Sequence, residues 1–260
     1  MSPIRALATV LVALGAAADV LAAACSAQSG EGTAALVELY TSEGCDSCPP
    51  ADRWLASLAS RGFAPVRVVP IALHVDYWDY IGWKDPYAKR EFAERQRRLA
   101  HLKRATYVFT PQVLLQGQDF RRWGTAAFDE AVAQINARPA KARIALRLEA
   151  VRARTLEVEA RAELLEASQR EDAALYLASY ENRLVSQVGA GENRGRTLAH
   201  DYVVFEWQGP VGFASGTSFA GRHSLPLLPQ AVPAHSGVVA FVQNRRTAEV
   251  LQALMLPACR

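Results

Sequence analysis

The sequence predicts an α/β domain followed by an all-β, sandwich-like domain. Three observations carry this. Strand-like and helix-like segments alternate up to Asn136, the apolar period falls to two residues after Pro139, and a Cys45-x-x-Cys48 pair separates the first strand from the first helix. With 260 residues, 50% of them hydrophobic, the chain exceeds one average domain and carries apolar surface for two cores. The expected boundaries are a leader over residues 1–27, the α/β domain over 33–138 and the β-domain over 140–257.

The leader is read from Arg5, the apolar run Ala6 to Ala18 and the small residues that continue to Ala27, a pattern of export with cleavage between Ala18 and Ala27. The run falls short of the ~20 residues of a spanning helix, so no transmembrane span is expected. Cys25 follows three alanines as in a lipoprotein signal, but the usual Leu three residues earlier is missing, and a lipid anchor there is not the expectation. Export to the periplasm or beyond is a setting in which disulfides persist. Cleavage after Ala27 would leave Cys259 without a partner. The net charge is only +3, with basic residues spread along the chain, so nucleic acid is not an expected partner.

Ala34 to Tyr40 is a short apolar run suited to a buried strand, and Thr41 to Gly44 form a turn. After the cysteines, Ala51, Trp54, Leu55 and Leu58 fall at helical spacing and Gly62 supplies a stop. Pro49 and Pro50 fit the first turn of that helix, where amides have no intrahelical acceptor. A second buried strand runs from Val66 to Val75, and an aromatic-rich loop follows from Asp76 to Lys84. Asp85 and Pro86 read as the cap and first residue of a helix reaching about Leu102. Its arginines, among them Arg90, Arg95, Arg97 and Arg98, read as a solvated face.

Thr110-Pro111 precedes a strand, Gln112 to Gln116, whose hairpin return runs past Gly117 to Trp123. Phe128, Ala131, Val132 and Ile135 then form one face of a helix capped by Thr125. Beyond Pro139, Ile144, Leu146 and Leu148, and then Leu156, Val158 and Ala160, alternate with other residues as half-buried strands do. Further strands are expected at 174–180, 184–188, 197–207, 238–243 and 250–254, with a long loop from Gly209 to Pro233.

The chemistry rests on Cys45 and Cys48. Thiol exchange needs an accessible thiolate, a resolving thiol and a field that lowers the first pKa, and a CxxC at a helix N-terminus offers all three. Cys45 is assigned attack and Cys48 resolution. Pro111 is expected to be cis, leaving the Thr110 backbone to pair with an extended substrate. Trp78, within Tyr77, Trp78, Tyr80 and Trp83, either rims a peptide site or plugs a domain interface. Glu38 either relays the proton of Cys48 or reaches water at a sheet edge; His74 and Asp76 either support the site or are structural. Asn193, Arg196, His200 and Asp201 read as structural, because no nucleophile lies near them in sequence. No cofactor is required. A static disulfide, half a zinc site, or copper held by Cys45, Cys48 and His74 are the competing chemistries.

Four blocks resemble a known group of secreted bacterial proteins, domain of unknown function 1223. They are the stretch from Val37 to Asp52 around the dithiol, His74 to Pro86, Tyr107 to Gln112, and Gly195 to Val204. The resemblance implies an α/β thioredoxin-like domain followed by an all-β sandwich-like domain, and export from the cytoplasm. It brings no substrate. Compared with thioredoxin, Gly44 stands where a Trp usually precedes the first Cys, Asp46-Ser47 replaces Gly-Pro, and Glu38 is displaced by one residue from the buried acid. Residues and resemblance together lead to a thiol-disulfide oxidoreductase acting on protein thiols or disulfides. The alternative is an exported binding or assembly protein in which the dithiol is a staple.

Overall fold

The computed structural model describes residues 25–152, 154–213 and 216–259. The expected leader therefore lies, up to residue 24, outside the described residues. In chain order the strands and helices are β1 (Cys25–Gln28), β2 (Ala35–Thr41), α1 (Pro49–Ser57), β3 (Val68–His74), α2 (Arg90–Leu102), β4 (Gln112–Leu115), β5 (Gln118–Asp119) and α3 (Ala126–Asn136). There follow β6 (Ala142–Arg152), β7 (Thr155–Leu164), β8 (Ala173–Glu181), β9 (Leu184–Gln187), β10 (Thr197–His200), β11 (Val203–Gly212), β12 (Ser218–Pro226), β13 (Ser236–Asn244) and β14 (Val250–Pro257).

These elements do not form an α/β thioredoxin-like domain followed by a separate all-β domain. Strand dominates, and the two halves share one eight-stranded mixed sheet in the order β14-β13-β8-β11-β3-β2-β4-β5. The junction is β11, which pairs parallel with β3 at Val203–Ala72 and antiparallel with β8. Local periodicity identifies strands but says nothing about which strand takes the free edge of β3, and a domain boundary drawn from periodicity therefore fell inside a continuous sheet. A four-stranded sheet, β1-β6-β7-β12, and the β9-β10 hairpin complete the described strands.

Side-chain alternation divides the core into three. On one face of the large sheet, Leu36, Tyr40, Ile71, Leu73, Tyr176, Tyr180 and Phe241 pack with Phe92 and Leu99 of α2. The opposite face is covered at one end by α1 and α3, through Trp54, Leu55, Phe128 and Val132 against Val37 and Leu39. At the other end it is covered by the four-stranded sheet, where Ile144, Leu146 and Val158 meet Leu175, Leu177 and Val242. Each such fully buried aliphatic side chain contributes roughly 1.5–3 kcal/mol.

Two local expectations are corrected. First, α2 begins at Arg90 with Lys89 as its cap, because the Asp85 carboxylate instead accepts from the amides of Tyr87 (2.9 Å) and Glu43 (2.8 Å). Second, much of the expected loop from Gly209 to Pro233 is strand. β12 pairs with β7 over nine residues from Ser218–Glu163 to Pro226–Thr155, yet only Leu225 of it is buried, so it has no apolar period to read. The structure also supplies a partner for Cys259: Cys25 to Gln28 pair with β6, and Cys25 is disulfide-bonded to Cys259. Gly117 shows where backbone freedom is needed: it turns β4 into β5 at φ +73°, and an added Cβ would run into the Ala248 carbonyl. No described helix is long and apolar enough to cross a membrane.

Candidate functional site

The candidate site lies where β2 and β3, parallel neighbours with Thr41 opposite His74, reach their C-terminal ends. Cys45 and Cys48 are joined in a disulfide with Cα atoms 5.5 Å apart, and Cys48 caps α1. The first turn closes through the amides of Ala51 (2.9 Å) and Asp52 (3.2 Å) on the Cys48 carbonyl, with Pro49 and Pro50 taking positions that need no donor. Asp46 and Ser47 are exposed, whereas both cysteines are fully buried.

Two distant segments pack on their turn. A short 3-10 helix, Asp76–Ile81, lies over Gly44, where an added Cβ would sit 3.0 Å from Cβ of Trp78 and 3.3 Å from Cδ1 of Ile81. Any larger residue would push these side chains back by a few tenths of an ångström. Trp78 Nε1 donates to Thr110 Oγ1 at 2.7 Å, which brings Thr110 and the cis peptide Thr110–Pro111 to the same end of the sheet as the dithiol turn. The second segment follows β9. Asn193 Nδ2 donates to the carbonyls of Glu43 and Cys45, each at 2.8 Å, and Arg196 holds Asn193 Oδ1 at 2.8 Å. Glu192 accepts from the Asp46 amide at 3.0 Å.

Beside the disulfide lies a buried polar cluster. His74 Nδ1 donates to Asp85 Oδ2 at 2.7 Å, His200 Nε2 to Glu43 Oε1 at 3.1 Å, and Trp83 Nε1 to Glu43 Oε2 at 2.8 Å. The rings of His74 and His200 meet edge to face with centroids 4.9 Å apart. Burial alone would lower the His74 pKa, but the charge and hydrogen bond of Asp85, with Asp52 and Glu43, outweigh it and raise the pKa above the usual value. Burial likewise works to raise Asp85, yet His74 and the two backbone donors hold it below the ordinary carboxylate range. Asp52 is different: burial raises its pKa, and the attraction of His200 and His74 does not cancel the effect.

The expected site residues are thus distributed unevenly. Cys45, Cys48, Trp78, Thr110, Pro111 and His74 gather at one end of the sheet. Asp76 is half-buried at the start of the 3-10 helix and makes no hydrogen bond to the dithiol turn among the described residues. Glu38 belongs elsewhere. It shares a sheet face with Leu36 and Tyr40, opposite to α1, and pairs with buried Arg95 at 2.7 and 3.0 Å. Arg95 is therefore no part of a solvated face; its guanidinium lies among the rings of Tyr176, Trp207 and Phe241.

A model of the family described as "Protein of unknown function (DUF1223)" matches residues 36–243, which span the dithiol, the polar cluster and the shared sheet. The chain belongs to this family. No curated protein matches it. Among solved structures it is similar to protein AGR_C_4864 of Agrobacterium tumefaciens, with 22% identity over 89% of this chain and 97% of that one and a TM-score of 0.62. It is also similar to HBP35 of Porphyromonas gingivalis, with 14% identity over 88% of this chain and 76% of that one and a TM-score of 0.65. At these identities the likeness establishes the fold alone.

For this DUF1223 protein, sequence reasoning missed Glu43, Asp52, Asp85, Asn193 and His200 as site residues. Asp52 had a usable signal, since it stands four residues after Cys48 on a helix and so shares its face. Asn193 and His200 had none, being about 150 residues from the groups they touch. They do approach the dithiol, so treating them as remote from any reactive group is corrected. Among the described residues no group of three or more His, Cys, Asp or Glu side chains is placed to hold a metal ion.

Proposed function

We propose that this protein is an exported thiol-disulfide exchange protein whose working group is the Cys45–Cys48 pair. The observation that carries this reading is the disulfide between cysteines three apart, set at the N-terminus of α1. There the positive end of the helix dipole stabilises a thiolate, so the pair is easier to reduce than an ordinary disulfide. Trp78, Thr110 and Pro111 border the turn and supply a surface for the backbone of a protein client. The apolar run from Ala6 to Ala18 and the second disulfide, Cys25–Cys259, agree with an oxidising, extracytoplasmic setting.

In the exchange, a thiolate attacks Cys45 Sγ and Cys48 leaves; in reverse, Cys48 resolves a mixed disulfide on Cys45. A Cys48→Ser variant should accumulate mixed disulfides with extracytoplasmic proteins, resolved on a non-reducing gel and absent from Cys45→Ser/Cys48→Ser. No adducts, together with no exchange between the wild-type pair and glutathione, would sink the proposal.

A second reading is favoured by one observation, the complete burial of both cysteines in a turn on which the 76–83 and 188–196 segments pack. It takes the disulfide as a staple in a binding or assembly protein. That reading expects the double serine variant to retain function, and the wild-type disulfide to resist glutathione under native conditions.

A further inference from the structure

We propose that Asp52 is the proton donor to Cys48 when the disulfide is opened, and that His200 and His74 connect it to the proton supply. The proposal rests on the exchange function above and assigns that reaction a set of groups drawn from three separate parts of the chain.

The geometry begins with α1. Because the Asp52 amide bonds the Cys48 carbonyl at 3.2 Å, residues 48 and 52 stand one helical turn apart and their side chains share a face. This puts the Asp52 carboxyl on the Cys48 side of α1, one turn along the helix from the sulfur, and in the proposal a single water carries the proton between them. Asp52 is 7% exposed and the cysteines 0%, so solvent does not substitute freely for it. His200 Nδ1 lies 4.0 Å from Asp52 Oδ2 and has no hydrogen-bond partner, although it is buried. His74 Nε2 is also buried without a partner.

Buried side-chain nitrogens are nearly always bonded, so two of them on touching imidazoles beside a buried carboxyl mark a place built for an exchangeable proton. The opposite nitrogen of each ring is committed, His74 Nδ1 to Asp85 and His200 Nε2 to Glu43, and this fixes both rings. The groups that bear on Asp52 are His200 of β10, His74 at the end of β3, Thr41 of β2 and Asp85. Glu43, bonded to His200, completes the set. Burial raises the Asp52 pKa, which keeps a proton on it where an exposed aspartate would have lost one.

The step balances. A thiolate from a reduced thiol compound or protein attacks Cys45 Sγ, and a new S–S bond forms. The Cys45–Cys48 bond breaks with its electron pair passing to Cys48 Sγ. The Asp52 proton moves to that sulfur, so the buried products are a neutral Cys48 thiol and an Asp52 carboxylate. His200 Nδ1 then takes up a proton that comes from solvent and passes it to Asp52, and the reverse reaction runs the same transfers backwards. Glu38 is replaced in this role by a residue on the opposite sheet face, and the second half of the chain completes the site through His200.

The test is stopped-flow reduction of the oxidised full chain by dithiothreitol across pH, with each rate divided by the dithiothreitol thiolate concentration. For the wild type, the normalised rate should fall as pH rises through the Asp52 pKa. Asp52→Asn should lower the acid-side plateau by about 100-fold, the lower end of the range for general acids, and flatten the profile. Asp52→Glu should restore the fall, which a merely structural role would not produce. A folded Asp52→Asn protein with the wild-type profile overturns the proposal while leaving exchange intact. A wild-type disulfide inert to dithiothreitol overturns both. If Asp52→Asn does not fold, a solvent deuterium isotope effect on the wild-type normalised rate decides: a normal effect supports the transfer and its absence overturns it.

Discussion

The side-chain amide of Asn193 donates to the carbonyl of Cys45 at 2.8 Å, across 148 residues of sequence. The same nitrogen holds the Glu43 carbonyl, so one side chain satisfies two backbone acceptors on either side of Gly44. The dithiol turn is thereby shaped by a loop that follows β9. Asn193→Ala should leave both carbonyls without that donor and destabilise the protein by about 2 kcal/mol, seen as a lower urea midpoint at unchanged slope. It should also speed native-state reduction by dithiothreitol, because the loop no longer clamps the turn. An unchanged midpoint would show that the loop rests on the turn without holding it.

Glu38 and Arg95 supply a control for the site. Their bidentate pair is buried on the α2 side of the large sheet, and Gln243 adds a bond to Arg95 at 3.0 Å. Glu38→Gln should cost about 3–5 kcal/mol of stability by leaving a buried guanidinium without its counter-ion. The reduction potential of the Cys45–Cys48 pair should not move. A shift of that potential in a folded Glu38→Gln protein would restore Glu38 to the dithiol chemistry.

How much of this was legible follows from how local each signal is. The strand before Cys45 and the proline-started helix after Cys48 could be read because apolar spacing and first-turn proline tolerance act within one element. The cap of α3 was equally local, with Thr125 Oγ1 accepting from the Ala127 amide. The cap of α2 was not, because Asp85 was drawn away by His74 and Glu43 from other elements. Likewise β12 owes its place to a ladder with β7, and β11 to the vacant edge of β3. His200 reaches the site only because of such non-local pairing. Its neighbours in sequence carry no trace of Glu43 or Asp52.

Cys25 and Cys259 make a prediction about processing. Cleavage after Ala27 would remove most of β1, whose Ala27 packs against the sandwich core, and would leave Cys259 unpaired. The mature chain should therefore begin at or before Cys25. Non-reducing peptide mapping of exported protein should recover the Cys25 and Cys259 peptides linked, which also excludes a lipid thioether on the same sulfur. Cys25→Ser/Cys259→Ser should lose about 2–4 kcal/mol, the cross-link closing a loop with a sequence separation of 234 residues. An N-terminus found at Gln28 would refute the pairing.

The His74–Asp85 pair sets a pH window. His74 is raised in the folded state, so its contribution is complete below the unfolded value of about 6.5 and is lost as pH rises through the higher folded pKa. Asp85 is depressed, so its contribution is complete above about 3.8 and is lost as pH falls through the lower folded pKa. Asp52, raised by burial, adds a further loss of stability as pH climbs above 3.8. Because His74 also acts on Asp52, the comparison of His74 with His74→Gln is made in an Asp52→Asn background, which removes the third effect from both proteins. The difference in unfolding free energy should be largest between pH 3.8 and 6.5, at about 3–5 kcal/mol for a broken buried pair, and should shrink on either side. Urea titrations at a series of pH values measure it directly. A difference that grows on the alkaline side would mean that His74 is held neutral, with its proton shared differently across Asp85 and His200.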